Sequence, residues 1–288
     1  MRITITGASG LIGSRLVKQL EQRGDEVTKL SRKTNWNPNE GPAPADLLEG
    51  RDAIVHLAGE NVAQRWNDDS RRAIRDSREI GTRNLVAGIG QTTQKPKALI
   101  SSSAVGYYGP HGDERLDEDT PPGNDFLAQV CVVWEREADK AAELGLRVVK
   151  VRTGVLLDAD GGALSKMLLP FKLGGGGPVA GGAQYMPWIH VDDVVDIYLA
   201  AIDNTTWSGA VNATAPEPVT NRAFSKALGR ALHRPAVAPI PGAAIRLLYG
   251  DMAEIVTKGQ RVIPRRTLDL GYSFQHPDLH EALRAAVG

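Results

Sequence analysis

The chain opens Met1-Arg-Ile-Thr-Ile-Thr-Gly-Ala-Ser-Gly-Leu-Ile-Gly13, and this stretch limits the possible folds more than any other. Arg2 to Thr6 is a short β-prone run. It meets a turn containing Gly7, Gly10 and Gly13, and an amphipathic segment from Leu11 to Arg23 follows at once. Strand, Gly-x-x-Gly-x-x-Gly and helix together make the phosphate-binding corner of a dinucleotide fold. Gly7 permits the tight turn, Gly10 lets backbone approach a pyrophosphate, and Gly13 lets the helix pack close on the strand. The backbone of Ser9, Leu11 and Ile12 belongs to the same corner, where a helix N-terminus turns free N–H groups toward phosphate.

The rest of the first half repeats the alternation. Glu26 to Leu30, Asp52 to Leu57, Lys97 to Ser102 and Arg147 to Val151 read as strands. Asp69 to Ile89 and Phe126 to Leu144 read as helices, and Asn35 to Ala45 as loop. On the first of these helices Ile74, Ser77, Gly81, Leu85 and Gly88 share one face, where small residues allow close packing. Such alternation predicts an α/β fold, a Rossmann-type doubly wound parallel sheet. The expected organisation is a dinucleotide-binding domain over 1–160, completed by 185–213. A smaller, mostly helical C-terminal part, 161–184 and 214–288, lies on the substrate side. Within it Ala163 to Leu173 reads as a helix and Met186 to Val191 as a strand. Asp192 or Asp193 is the expected cap of a helix ending near Ile202, and Thr220 or Asn221 of another. Six glycines fall between Gly174 and Gly182, a composition expected of a mobile lid.

Formal charge is zero, with 34 basic and 34 acidic residues and no charged block. This argues against nucleic acid or a membrane as partner and leaves a small-molecule substrate, with a homodimer left open. The single cysteine, Cys131, excludes an internal disulfide and fits a reducing, cytoplasmic setting. A strand beginning at residue 2 leaves no room for a signal peptide. The six histidines are scattered. His276 and His280 lie four apart, but Pro277 interrupts them, so no metal site is expected.

The second strand ends Leu30-Ser31-Arg32-Lys33. An NAD-binding fold usually places an acid there, on the ribose 2′-hydroxyl, and Glu26 comes too early for that task. Arg32 suits a 2′-phosphate, so NADP(H) is expected over NAD(H). The next strand runs into Leu57-Ala58-Gly59, whose small residues let backbone border the cofactor.

Together these pieces resemble the extended short-chain dehydrogenase/reductase superfamily, in its nucleotide-sugar epimerase/dehydratase branch. The resemblance is carried by Thr6-Gly-Ala-Ser-Gly-Leu-Ile-Gly13, Asp52-Ala-Ile-Val-His-Leu-Ala-Gly59, Ser101-Ser-Ser103 and Trp188-Ile-His-Val-Asp-Asp193. Leu57-Ala-Gly-Glu-Asn61, Ser101-Ser-Ser-Ala-Val-Gly-Tyr-Tyr-Gly109, Trp134-Glu135, Arg152-Thr-Gly154 and Gly259-Gln-Arg-Val-Ile-Pro264 are similar to a narrower, atypical subgroup. These are uncharacterised "epimerase family" proteins with a small C-terminal domain. The resemblance implies a nicotinamide cofactor and a substrate site between the two parts, with Ser101 and Arg152 at the cofactor side.

It also implies a catalytic set: a Ser after a central strand, then Tyr-x-x-x-Lys on the following helix. Ser103 matches the serine. The helix reads Asp125-Phe-Leu-Ala-Gln-Val-Cys131, so a Tyr at Phe126 or Leu127 would pair with Val130 or Cys131. Neither register holds the pair. A positioned general acid contributes about 10²–10⁴-fold in rate, so a substitute is required if the protein turns over. Tyr107 and Tyr108 follow Ser103 on a glycine-flanked loop. His190 has a suitable intrinsic pKa. Glu60 lies beside the nicotinamide position, and Glu135 is either a desolvated acid or an arginine's structural partner. Arg152 is read both as an anion holder and as a salt-bridge partner. The functional expectation is an NADP-dependent oxidoreductase on a small substrate. The alternatives are a nucleotide-sugar epimerase/dehydratase and a non-catalytic NADPH-responsive binding protein.

Overall fold

In the computed structural model, which describes every residue except Thr34, six strands form the central sheet. They are β1 (Arg2–Thr6), β2 (Glu26–Leu30), β3 (Ala53–His56), β4 (Ala98–Ala104), β5 (Arg147–Thr153) and β6 (Gly209–Ala213). All neighbours are parallel, in the order β6-β5-β4-β3-β1-β2. Parallel neighbours need crossovers. Helices α1 (Leu11–Gln22), α2 (Asp68–Gln91) and α3 (Phe126–Glu143) supply three of them. Helices α4 (Gly162–Lys172) and α5 (Val191–Asp203) lie between β5 and β6. The strand order reverses between β1 and β3, which is where such sheets open a ligand crevice.

Side-chain alternation decides the layers. Ile3, Ile5, Ala53, Val55, Ala98 and Ile100 face a core completed by Leu16 and Leu20 of α1 and Ile197 and Tyr198 of α5. The intervening Ile54 and Leu99 face Leu85 and Ile89 of α2 and Ala138 and Ala141 of α3. Both faces of the strands are covered, as a parallel sheet requires. The small residues of α2 accept a loop: a Cβ at Gly88 would lie 2.3 Å from the Ala43 carbonyl oxygen. The 35–45 segment therefore packs directly on the helix.

The C-terminal part holds α6 (Asn221–Ala231), α7 (Gly242–Tyr249), α8 (Ala253–Thr257), α9 (Arg265–Asp269) and α10 (Leu279–Val287). Thr220 caps α6, its hydroxyl accepting from the Ala223 amide. The expected cap of α5 is corrected. His190 occupies that place, and its Nδ1 accepts the Asp192 amide. Asp193 has another task. It is fully buried and accepts from the Tyr272 hydroxyl and from the amides of Gln275 and His276, which docks the tail onto α5.

The glycine-rich segment is also not the free lid that its composition suggests. The Val179 amide donates to Asn221 Oδ1, the Ala180 amide to the Ile240 carbonyl, and the Gly182 amide to the Val179 carbonyl. A Cβ at Gly177 would lie 2.0 Å from the Ala238 carbonyl oxygen. Gly177 and Gly182 thus permit close approach of chain segments, whereas a Cβ at Gly174 or Gly181 would meet nothing within 4 Å. An amide in such a bond exchanges only when the bond opens. The amides of Ala180 and Gly182 are therefore expected to be protected from hydrogen exchange in the ligand-free protein. Exchange at unprotected rates would restore the lid.

Candidate active site

The glycine corner has the shape that phosphate needs. Gly7 has φ +71°, and a Cβ there would lie 2.7 Å from the Leu57 carbonyl carbon. A Cβ at Gly13 would lie 2.3 Å from the Gly7 carbonyl oxygen. Gly10 differs: its Cβ would meet only that oxygen, at 3.3 Å, and otherwise open space. Gly10 is also the N-cap of α1, without a side-chain cap and with no acid in the first turn. The first helical amides, Leu11 and Ile12 among them, have no intrahelical acceptor. The residues present thus fit a pyrophosphate.

At the end of β2, Ser31 and Asn35 shape the turn. The Ser31 amide donates to Asn35 Oδ1, and the Lys33 amide to Ser31 Oγ. Arg32 is exposed and makes no hydrogen bond or ion pair among the described residues. Glu26, at the opposite end of the strand, pairs with Arg51 at 2.9 Å.

The end of β3 is held by a buried relay. Thr6 Oγ1 accepts from the amides of Leu57 and Ala58, both at 3.2 Å, and lies 2.7 Å from His56 Nδ1. With its lone pairs taken, the Thr6 hydroxyl must donate to Nδ1. The His56 Nε2–H then donates to Thr82 Oγ1 at 3.0 Å. Burial, helped by nearby Arg78, pushes the His56 pKa down to about 4, so the ring is neutral. Beyond it, Glu60 is half-buried, its amide donating to Ser77 Oγ and its carboxylate accepting from Gln64.

The end of β4 carries a second network. Ser103 Oγ donates to Glu135 Oε1 at 2.6 Å. Arg152 holds both oxygens of the same carboxylate, at 2.8 and 2.9 Å. Arg152 also donates to the Tyr108 hydroxyl at 3.0 Å, which donates to Asn212 Oδ1 at 2.7 Å. The Asn212 amide donates to Glu118 Oε1, and Glu118 Oε2 accepts the Arg266 amide. The network thus joins β4, α3, β5 and β6 to the C-terminal part. Burial works against the Arg152 charge, but Glu135 more than offsets it and holds the guanidinium pKa above its usual value. Burial raises the Tyr108 phenol despite Arg152.

This geometry separates the candidates. Arg152 has its charge taken by Glu135 and is a structural partner there. Tyr108 is fully buried and committed to its two bonds. Ser103 commits its proton to Glu135. Ser101 is buried and donates to the Ser102 carbonyl. Tyr107 remains. Its half-buried ring lies 3.5 Å from the Arg152 guanidinium, and its hydroxyl makes no hydrogen bond among the described residues. His190 lies elsewhere, its ring stacked 3.9 Å from His276, with the Asp192 carboxylate 3.4 Å from one and 3.6 Å from the other. Burial and the neighbouring His276 lower the His190 pKa. No bond joins it to the Ser103 network among the described residues.

One residue escaped the sequence reading. Arg78 lies on the buried face of α2, four residues after Ile74 and three before Gly81, so the periodicity marked it. Its Nη1 donates to the carbonyls of Glu60 and Ile74, each at 3.1 Å, and its guanidinium covers the Trp134 ring at 5.0 Å. A Cβ at Gly59 would lie 3.3 Å from Arg78 Cζ. Spacing marks this face by its small and apolar residues, and a charged side chain there gives no signal of its own.

Residues 3–213 match the NAD dependent epimerase/dehydratase family. The chain belongs to that family. Residues 240–286 match a domain of unknown function, DUF1731. The chain is 38% identical to human epimerase family protein SDR39U1 (isoform2), whose crystal structure with NADPH superposes with a TM-score of 0.90 over 99% of each chain. It is 36% identical to a nucleoside-diphosphate sugar epimerase from Corynebacterium glutamicum, with a TM-score of 0.84 over all of this chain and 58% of that one. An SDR39U1 homolog of Arabidopsis thaliana, described as chloroplastic, is 37% identical over all of this chain and 87% of its own. The Rossmann-type nucleotide-binding fold read from the opening residues is therefore the family's fold. No helix among the described residues is long and apolar enough to cross a membrane.

Proposed function

We propose that the protein is an NADP(H)-dependent oxidoreductase of the short-chain dehydrogenase/reductase type. Its small-molecule substrate would lie between the nucleotide-binding domain (1–160 with 185–213) and the smaller part (161–184 with 214–288). The observation that carries this is Arg32, exposed at the end of β2 where an NAD site would hold an acid. The NADPH bound by the human relative supports it. When bound, the cofactor supplies hydride. The chain's own residues hold its phosphates, through Ser9 to Gly13, and border it along Leu57, Ala58 and Gly59.

Arg32→Ala should weaken NADPH by about 1.5–3 kcal/mol, the worth of hydrogen bonds to a charged group, and leave NADH nearly unchanged. Calorimetry on both cofactors checks this, and equal losses would show that Arg32 does not read the 2′-phosphate.

Tyr107 is the proton donor in this reading, because its hydroxyl alone among the Ser103–Tyr108 group is not committed within the protein. Tyr107→Phe should lower kcat by about 100-fold in NADPH-dependent carbonyl reduction, a general acid's contribution. Tyr108→Phe should act mainly on stability. Equal kcat for wild type and Tyr107→Phe would remove Tyr107 from the chemistry. The description of the C. glutamicum relative favours a second reading, nucleotide-sugar epimerisation. That reaction is redox-neutral overall, so turnover without net cofactor oxidation would select it. Silence on both substrate panels would favour an NADPH-responsive binding protein. A cytoplasmic setting rests on the single, buried Cys131.

A further inference from the structure

Arg78 is a cation with nothing obvious to neutralise it. Among the described residues no carboxylate lies within ion-pair distance of it. Its bonded acceptors are the carbonyls of Glu60 and Ile74, joined by the Ser77 hydroxyl at 3.4 Å. The titratable groups around it do not pair with it. From β3, His56 is held neutral by burial. From α3, burial first and then the Glu135 charge push the Cys131 thiol up to about 12. From the loop, the Glu60 carboxylate acts on Arg78 only through space. Burial lowers the Arg78 pKa, but a guanidinium stays charged at neutral pH.

Its position matters as much as its charge. Arg78 touches Gly59, just beyond β3, and lies beside Cys131. Cys131 in turn is 3.8 Å from the Cβ position of Gly106, just beyond β4. The guanidinium therefore sits under the C-terminal ends of β3 and β4. A dinucleotide whose pyrophosphate rests on α1, with its adenosine half toward β2, extends its nicotinamide half across β3 toward β4. Gly59 has no side chain to separate that half from Arg78.

We propose that Arg78 makes this site select the reduced form of its nicotinamide cofactor. The inference rests on the NADP(H) reading above. The oxidised nicotinamide ring carries a positive charge and the reduced ring none. A fixed cation without a carboxylate partner beside the ring raises the free energy of the oxidised complex and leaves the reduced complex unaffected. At an effective dielectric of about 20, charges separated by several ångströms interact strongly enough for a tenfold or greater difference in affinity.

The test measures dissociation constants of NADPH and NADP⁺ by calorimetry on the full chain, for wild type, Arg78→Lys and Arg78→Met. Wild type is expected to bind NADPH about tenfold or more tightly than NADP⁺. Arg78→Lys should keep most of that ratio, since it keeps the charge. Arg78→Met should bring the ratio close to one, chiefly by tightening NADP⁺. Glu60→Gln removes the carboxylate that acts on Arg78 through space and keeps the backbone carbonyl that Arg78 bonds. It should widen the ratio, and an unchanged or narrower ratio would count against the proposal if Arg78→Met does not fold. Equal affinities in wild type, or an unchanged ratio in a folded Arg78→Met, would overturn the proposal while leaving NADP(H) binding intact. Failure of wild type to bind either form would overturn the cofactor reading and this proposal with it.

Discussion

Gly10→Val is expected to remove cofactor binding while moving the melting temperature by no more than a few degrees. Gly10 adopts φ −77° and ψ 174°, an extended conformation open to any residue. A Cβ there meets only the Gly7 carbonyl oxygen, at 3.3 Å. The fold therefore tolerates the side chain at a cost of about 1 kcal/mol or less, which moves the midpoint of a chain this size by about 2–4 °C. The pyrophosphate does not tolerate it, because the branched side chain fills the space in which backbone amides must meet phosphate. A loss of at least about 100-fold in affinity, about 2.8 kcal/mol, is expected. Gly13→Ala is the contrast. Its Cβ would lie 2.3 Å from the Gly7 carbonyl oxygen, so backbone must shift and stability should fall by about 1–3 kcal/mol. Calorimetry with NADPH and thermal melts of both variants separate the two roles. A Gly10→Val protein that binds normally would refute the phosphate-loop assignment.

Glu135→Ala is expected to destabilise the protein by about 3–5 kcal/mol, the cost of leaving a buried charge without its partner. Arg152 is 4% exposed, and its Nε and Nη2 both donate to this carboxylate, the only charge that pairs with it among the described residues. Ser103 also loses its acceptor. The loss should extend beyond the nucleotide-binding domain, because Arg152 leads through Tyr108 and Asn212 to Glu118 and the Arg266 amide. Removing both charges, as Glu135→Ala with Arg152→Met, should recover much of the stability. The uncompensated charge, more than the lost bonds, sets the cost. Urea denaturation of the single and double variants measures the coupling. A single variant as stable as wild type, or a double variant worse than the single, would show that the pair carries no such load.

Local pattern was enough for much of this protein. Residues 2–13 specify strand, turn and helix because glycines at 7, 10 and 13, set between a β-prone run and an amphipathic segment, are the spacing a tight phosphate-binding turn needs, and period-two alternation in β1, β3 and β4 sorts side chains between two helical layers. Arg32 was visible because the end of β2 is defined by sequence order alone. Other assignments depended on long-range contacts that spacing does not encode. Asp193 looked like a helix cap, yet its acceptors are occupied by residues 272–276, some 80 positions on. The glycines of 174–182 looked like a mobile lid, yet Gly177 and Gly182 lie where neighbouring segments come close. Composition records that a chain can bend closely, not whether a neighbour has filled the space. Ser103 and Tyr108 read as candidate functional groups at and just beyond a strand end, and Arg152 as either an anion holder or a salt-bridge partner. Only the folded protein brings Glu135 and Asn212 within bonding distance and commits them. Arg78 shows the converse. Its charge follows from the residue type alone, but its burial and its lack of a carboxylate partner among the described residues are properties of everything packed around it.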